Sequence, residues 1–253
     1  MLLYFSATGN SKYVAARLSA VTGEPMLSIA ECVKEHHFSF SLAAGELLGV
    51  ICPTYAWGLP RMVREFLARA EFSFAERPYV FFVATFGTTP GQTGRFADEL
   101  LAPKGLPVAA RFCVQMPDTW TPWFDLSDEK QVAHTLAAAE PQIDRIIRQV
   151  QSRAKGDFLR RKPPVWVARL ANALMLDHLW KTKSFAVSPR CTGCGKCAAR
   201  CPAGAIQMRA DRPVWIKERC EFCLGCLHRC PAFAIRFGYR TDRHGQYRHP
   251  NVR

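Results

Sequence analysis

Along the first 155 residues, short apolar runs alternate with stretches whose apolar positions recur every three or four residues. The runs are Met1–Phe5, Leu47–Cys52 (LLGVIC), Tyr79–Phe86 (YVFFVATF) and Val108–Met116, with Met26–Ile29 as a short edge strand. Helical spacing covers Ser11–Val21, Arg61–Ala70, Gly91–Leu101 and Ser127–Arg153, the last opening on the polar sequence SDEK. Strands apolar at successive positions must be covered on both faces, so the pattern predicts an α/β fold with a doubly wound, five-stranded parallel sheet. In such a sheet the ligand loops lie at the C-terminal ends of the strands.

The pattern changes after residue 155. Residues 156–184 (GDFLRRKPPVWVARLANALMLDHLWKTKS) form a basic, proline-marked linker and then an amphipathic helix, with Trp166, Leu170, Leu174 and Trp180 expected to dock between domains. Residues 185–240 contain two copies of one small unit: CTGCGKCAARCPAGAIQM from Cys191 and CEFCLGCLHRCPAFAIRF from Cys220. A basic tail, 241–253, completes the division into a 1–155 domain, a linker, a 185–240 domain and a tail.

Composition sharpens this division. The net charge of +13 is split unevenly: residues 1–144 carry 11 basic and 15 acidic groups, 145–184 carry 10 and 2, and 185–253 carry 13 and 4. A basic second half suits nucleic acid, an anionic membrane surface or an acidic protein partner, and equally a plain solvated surface. Charges interrupt every long apolar stretch, as Arg169 and Asp177 do, and the N-terminus has no basic segment followed by a cleavage site. The chain reads as a soluble cytoplasmic protein with no membrane span.

Eleven cysteines are many for a reducing compartment, and eight of them crowd into residues 191–230. Cys32, Cys52 and Cys113 are scattered and read as small buried apolar residues. Each copy of the repeat is C-x₂-C-x₂-C-x₃-C-P, the spacing that holds cubane iron–sulfur clusters with three thiolates from one loop and the fourth from the other copy. One quartet is then Cys191, Cys194, Cys197 and Cys230, and the other is Cys220, Cys223, Cys226 and Cys201. Gly193, Gly195 and Gly225 would let backbone amides approach the sulfurs. A pair of tetrahedral zinc sites is the alternative, although zinc rarely needs three evenly spaced cysteines and a Cys-Pro twice at one period. On these motifs, residues 185–240 resemble a two-cluster bacterial-type ferredoxin, which implies two [4Fe–4S] clusters.

At the other end, SATGNS directly follows the first apolar run and opens a helix. It is neither a G-x-x-x-x-G-K-[ST] loop nor a G-x-G-x-x-G loop. Hydroxyls and amides at a helix N-terminus bind a phosphate dianion without lysine or metal, and a plain helix cap is the simpler alternative. The segment resembles the phosphate loop of flavodoxins, which implies FMN, with Ser6, Thr8, Asn10 and Ser11 on the phosphate and Gly9 shaping the turn. By the same resemblance, Pro53, Thr54, Tyr55, Ala56 and Trp57 stand beside the isoalloxazine, with Tyr55 and Trp57 stacking on it or packing into the core. Thr85, Phe86, Gly87 and Thr88 bring backbone amides to its pyrimidine edge. Residues 85–94 contain no acid, unlike this loop in many flavodoxins, so the reduced anion is less disfavoured. A further loop, QMPDTWTPWF, places Asp118, Trp120 and Trp123 after the fifth strand as a candidate substrate or partner site.

Nearly the whole chain thus resembles the flavodoxin–ferredoxin fusion proteins. The expected function is an iron–sulfur flavoprotein, a carrier or reductase passing electrons between two [4Fe–4S] clusters and FMN, with an acidic redox protein as partner. A nucleic-acid-binding or redox-sensing protein with structural clusters is the alternative, but nucleic-acid binding leaves the phosphate loop without a task. No Ser/His/Asp arrangement suggests hydrolysis, and no catalytic acid or base can be assigned.

Overall fold

The structure, a computed structural model, describes residues 1–252. The chain begins with β1 (Leu2–Tyr4), α1 (Asn10–Thr22), β2 (Met26–Ser28), α2 (Ile29–Lys34), β3 (Ser39–Leu42), β4 (Leu47–Pro53) and α3 (Arg61–Arg69). It continues through β5 (Glu71–Phe74), β6 (Tyr79–Phe86), α4 (Thr93–Leu101), β7 (Ala110–Gln115), α5 (Glu129–Gln151) and β8 (Gly156–Asp157). The central sheet is parallel and ordered β2-β1-β4-β6-β7-β8. It therefore has six strands, not five. The sixth, β8, pairs only Gly156 and Asp157 with Ala110 and Arg111, and two exposed residues leave no apolar signature in the sequence.

Alternation along each strand builds two cores. Leu3, Val50, Phe82 and Ala84 face α3 and α4, while Leu2, Ile51, Phe81 and Val83 face α1 and α5. Phe81 and Phe82 are both fully buried, which is why β6 reads as an unbroken apolar run. A second parallel pair, β3 with β5, extends the first core through Phe40 and Phe72 and was not anticipated. Its segments SFSL and EFSF do alternate polar and apolar, a period-two signal diluted by serine.

The chain passes from β1 outward to β2 and then back across β1 to β4. The loops after β1 and β4 thus diverge at the point where the winding reverses, leaving a crevice at the carboxyl edge of the sheet.

The linker forms α6 (Val165–Ala173) and a wider helical turn over Leu174–Leu179. Its docking face is not the expected one. Trp166, Leu170 and Leu174 are 70%, 53% and 43% exposed, whereas Ala168, Asn172 and Leu176 turn inward; of the four expected anchors only Trp180 is packed. The C-terminal module contains β9 (Phe185–Val187), α7 (Lys196–Ala199), β10 (Ile206–Arg209), β11 (Arg212–Trp215), α8 (Gly225–His228) and β12 (Ile235–Phe237). β9 pairs with β12 and β10 with β11, both antiparallel; β10–β11 is a hairpin, whereas β9 and β12 join the two ends of the module. Residues 241–252 do not project as a tail: Thr241, Tyr247 and His249 are all buried.

Candidate functional site

The crevice is a cavity of about 430 Å³. Of the residues expected to hold a flavin, Ser6, Thr8, Asn10, Ser11, Pro53, Thr54, Tyr55, Ala56, Trp57, Thr85, Phe86, Gly87 and Thr88 all line it. Gly9 does not. It sits behind the loop as the residue preceding α1, with φ of +109°, and a Cβ there would fall 2.8 Å from His249 Cβ. Its amide donates to Ser6 Oγ at 3.1 Å. The first turn of α1 has no acidic residue and no capping side chain, so the positive end of its dipole is available to an anion.

The loops are held by one another. Ser11 Oγ and Thr85 Oγ1 are 2.8 Å apart, and Thr54 Oγ1 donates to the Pro90 carbonyl at 3.0 Å. Ala56 and Trp57 both have left-handed φ, 45° and 63°, in a tight turn closed between Tyr55 and Gly58. Such backbone persists only where its surroundings enforce it. Asn172 does so from the linker helix, donating to the Tyr55 carbonyl at 2.7 Å and the Leu59 carbonyl at 3.2 Å. Sequence reading missed this residue; the polar signal on an otherwise apolar inward face was there to be used.

The far wall is aromatic. Trp120 stacks on Trp180 with centroids 4.2 Å apart, and Trp180 leans on Phe222 of the second cysteine repeat. Asp118 is the one carboxylate among the described lining residues. Its Oδ1 accepts from Trp120 N at 3.0 Å, and burial pushes its pKa above the ordinary carboxylate value. Two buried polar atoms of lining residues, Thr89 Oγ1 and Trp120 Nε1, have no protein partner. Hydroxyls and a helix N-terminus at one end, unpaired polar atoms in the walls and flat aromatic surfaces suit a planar heterocycle carrying a phosphate.

Cysteine repeat two forms part of the same cavity, through Phe222 and Cys223. A Cβ on Gly225 would lie 3.6 Å from Ala7 Cβ, so the cysteine loop rests on the phosphate loop. Gly225 has no positive φ, the left-handed positions equivalent to Gly193 and Gly195 being Phe222 and Leu224, but its backbone amide does reach the Cys223 sulfur as expected. Glu221 reaches the other way, its Oε2 accepting from Met62 N at 3.0 Å at the uncapped start of α3. Tyr55 lies between cavity and cysteines: burial first, then the nearby Cys223 and Glu221, raise its pKa well above the ordinary value.

The two quartets assemble across the repeats. Cys191, Cys194, Cys197 and Cys230 surround one small apolar void. Cys201 stands close enough to Cys220, Cys223 and Cys226 for their charges to interact. No group of three or more His, Cys, Asp or Glu among the described residues is arranged around a single metal-ion position. Backbone amides of Ala205, Phe222 and Ala234 donate to the sulfurs of Cys201, Cys220 and Cys230, each at 3.3 Å. Burial raises the Cys223 thiol to about 12 and pushes Cys220 and Cys226 up as well, so a cationic centre would have to take up the charge of these thiolates. The quartets differ in access: Cys194 is exposed and Cys223 faces the cavity.

A doubly wound sheet with a phosphate-type cradle at its reversal point, abutting paired cysteine quartets, defines an electron-transfer flavoprotein. Residues 1–143 match the family model for a flavodoxin domain, and residues 190–235 match that for a 4Fe-4S dicluster domain. The chain belongs to the flavodoxin-domain family, with an iron–sulfur domain following the flavodoxin domain, as in flavodoxin–ferredoxin fusions. These domains imply FMN and iron–sulfur clusters as cofactors. No curated protein matches the chain. Among solved structures, the Trp repressor binding protein from Bacillus subtilis is 10% identical, covering 56% of this chain and 97% of its own, with a TM-score of 0.34. Rubredoxin oxygen:oxidoreductase from Desulfovibrio gigas is 14% identical over 60% of this chain and 36% of its own, with a TM-score of 0.32. No helix among the described residues is long and apolar enough to cross a membrane.

Proposed function

We propose that this chain carries electrons in series through two [4Fe–4S] clusters and one FMN. The outer cluster is held by Cys191, Cys194, Cys197 and Cys230, and the inner one by Cys220, Cys223, Cys226 and Cys201. The observation that carries the reading is the shared wall: Cys223 and Phe222 line the same cavity as the hydroxyl loop of Ser6, Thr8 and Ser11. When bound, the flavin supplies the exchange between single electrons and pairs. The protein's part is to grip the phosphate with Ser6, Thr8, Asn10 and Ser11, flank the ring with Tyr55 and Trp57, and present backbone amides from Thr85, Phe86, Gly87 and Thr88. Trp120, Trp180 and Phe222 keep water from the gap between ring and inner cysteines.

The outer quartet is the port to a partner. Arg190, Lys196 and Arg200 are exposed around it, which suits an acidic redox protein. The division of labour follows the domains proposed from sequence, 1–155 for the flavin and 185–240 for the clusters, with 156–184 and 241–253 joining them.

The test is anaerobic purification with iron, sulfide, zinc and FMN quantified, followed by stepwise reductive titration of the visible spectrum. About eight irons and one FMN per chain, all reducible, are expected. Zinc in place of iron, or clusters without flavin, would overturn the reading.

A further inference from the structure

The C-terminal segment, expected to be a basic tail, is instead wedged between the dicluster module and the phosphate loop. Gln246 Nε2 donates to the Leu227 carbonyl at 2.6 Å and the Cys230 carbonyl at 2.9 Å. Tyr247 N donates to His228 Nδ1 at 3.1 Å, which leaves His228 Nε2–H to donate to the Thr119 carbonyl at 2.9 Å. From this anchorage the chain turns to the loop. The Tyr247 hydroxyl donates to Asn10 Oδ1 at 2.7 Å, and His249 N donates to the Thr8 carbonyl at 2.8 Å. The His249 ring stacks on Tyr13 of α1, with centroids 4.1 Å apart at 22°. His249 is 3% exposed and Tyr247 5%, so these are interior contacts.

Both loop contacts fix polarity where an anion would sit. An amide such as Asn10 presents either its oxygen or its N–H₂ to a neighbour, and only the latter suits a phosphate. With Oδ1 occupied by Tyr247 and one amide hydrogen directed to the Pro117 carbonyl at 3.3 Å, the second hydrogen remains for the cavity. The Thr8–Gly9 peptide is held in the same sense. Its oxygen is turned outward to His249, so its N–H is turned inward, toward Ser6 Oγ. Gly9 is required twice here, by its left-handed φ and by the seat it gives His249.

We propose that Gln246–His249 is a strap that completes the phosphate end of the flavin site, with Tyr247 and His249 as positioning residues that make the site selective for a flavin bearing a terminal phosphate. The inference rests on the flavin reading above and adds to it a source of specificity from the last residues of the chain. The strap also ties phosphate binding to the seating of the inner cysteine loop, because one segment touches both.

The test titrates the full-length, cluster-loaded protein, freed of flavin, with FMN and with riboflavin, for the parent chain, Tyr247→Phe and a truncation after Gly245, with iron measured in parallel. The parent should bind FMN more tightly than riboflavin. Tyr247→Phe should weaken FMN by about tenfold, the loss of one buried hydrogen bond orienting a donor to an anion, and leave riboflavin within about twofold at unchanged iron. The truncation should weaken FMN further. Equal weakening of both flavins, or a joint loss of iron and both flavins in Tyr247→Phe, marks a merely structural role and overturns the strap, as does unchanged FMN affinity. A parent chain that binds no FMN overturns the flavin reading and the strap together.

Discussion

The two cysteine repeats share every cysteine and every Cys-Pro, yet they are different objects in the folded chain. In the first copy the positions between the ligands are small or polar: Thr192, Gly193, Gly195, Ala198 and Ala199. In the second, 29 residues on, the same positions are Glu221, Phe222, Leu224, Leu227 and His228, all buried. Glu221 caps α3, Phe222 lines the cavity, and His228 joins Thr119 to the strap. The backbone is common to both. Gly193 and Gly195 have φ of +67° and +69°, and Phe222 and Leu224 take up the same left-handed conformation at +48° and +51°. An L side chain there costs about 1–2 kcal/mol, while burying a Phe or Leu side chain returns roughly 1.5–3 kcal/mol. Left-handed backbone is thus tolerated in the copy that docks, and the exposed copy keeps glycine. One scaffold yields a buried inner site and an open outer one because docking side chains were added to one copy only.

The largest effect should come from removing one ligand on each side. Cys223→Ser and Cys194→Ser should each lose about four irons per chain. Only Cys223→Ser should also cut flavin reduction by the remaining cluster, because it empties the site next to the cavity; iron assay and stopped-flow flavin bleaching read the two separately. Next in size, Phe222→Ala should cost about 3–5 kcal/mol and Leu227→Ala about 2–5 kcal/mol in chemical denaturation. Gly195→Ala in the outer copy, where a Cβ meets no atom within 4 Å, should cost only about 1–2 kcal/mol, from its left-handed backbone. Equal losses at inner and outer positions would break the comparison.

A smaller effect is expected at Asp118, where burial holds the folded-state pKa above the ordinary 3.8. Its contribution to stability is complete below that value and is lost as pH rises through the raised one. Asp118→Asn should therefore raise the melting temperature at neutral pH, the gain vanishing as pH falls to about 4. Asparagine still accepts from Trp120 N, so the loop turn is kept. Smallest of all, Trp166→Ser should change stability by no more than about 0.5 kcal/mol, since this side chain is 70% exposed.

Much of this molecule was legible in one dimension. β6 was read at its observed boundaries, Tyr79–Phe86, because a strand buried on both faces leaves an uninterrupted apolar run. The hydroxyl loop and the two loops that join it in the cavity were legible because each follows a strand at the carboxyl edge of the sheet. β8 was not, since two exposed residues have no pattern. The docking face of the linker helices was misassigned because Trp166, Leu170 and Leu174 are large and apolar, whereas the smaller Ala168 and Asn172 allow the close approach to the Tyr55–Leu59 turn. The substitutions between the repeats did carry the docking signal: five small or polar residues replaced by larger ones at fixed spacing.

The sequence by itself determined the paired cysteine motifs, their spacing and the strand–loop–helix order, since these depend on local periodicity and on chemistry that neighbouring residues supply. Only the tertiary structure decided which quartet faces the cavity, that Asn172 braces the Tyr55–Trp57 turn, and that Tyr247 and His249 close the loop of Thr8 and Asn10 across some 240 positions of chain. Such contacts have no period. They arise from how two packed bodies meet, and a buried polar group finds its partner by position in space, whatever the distance along the chain.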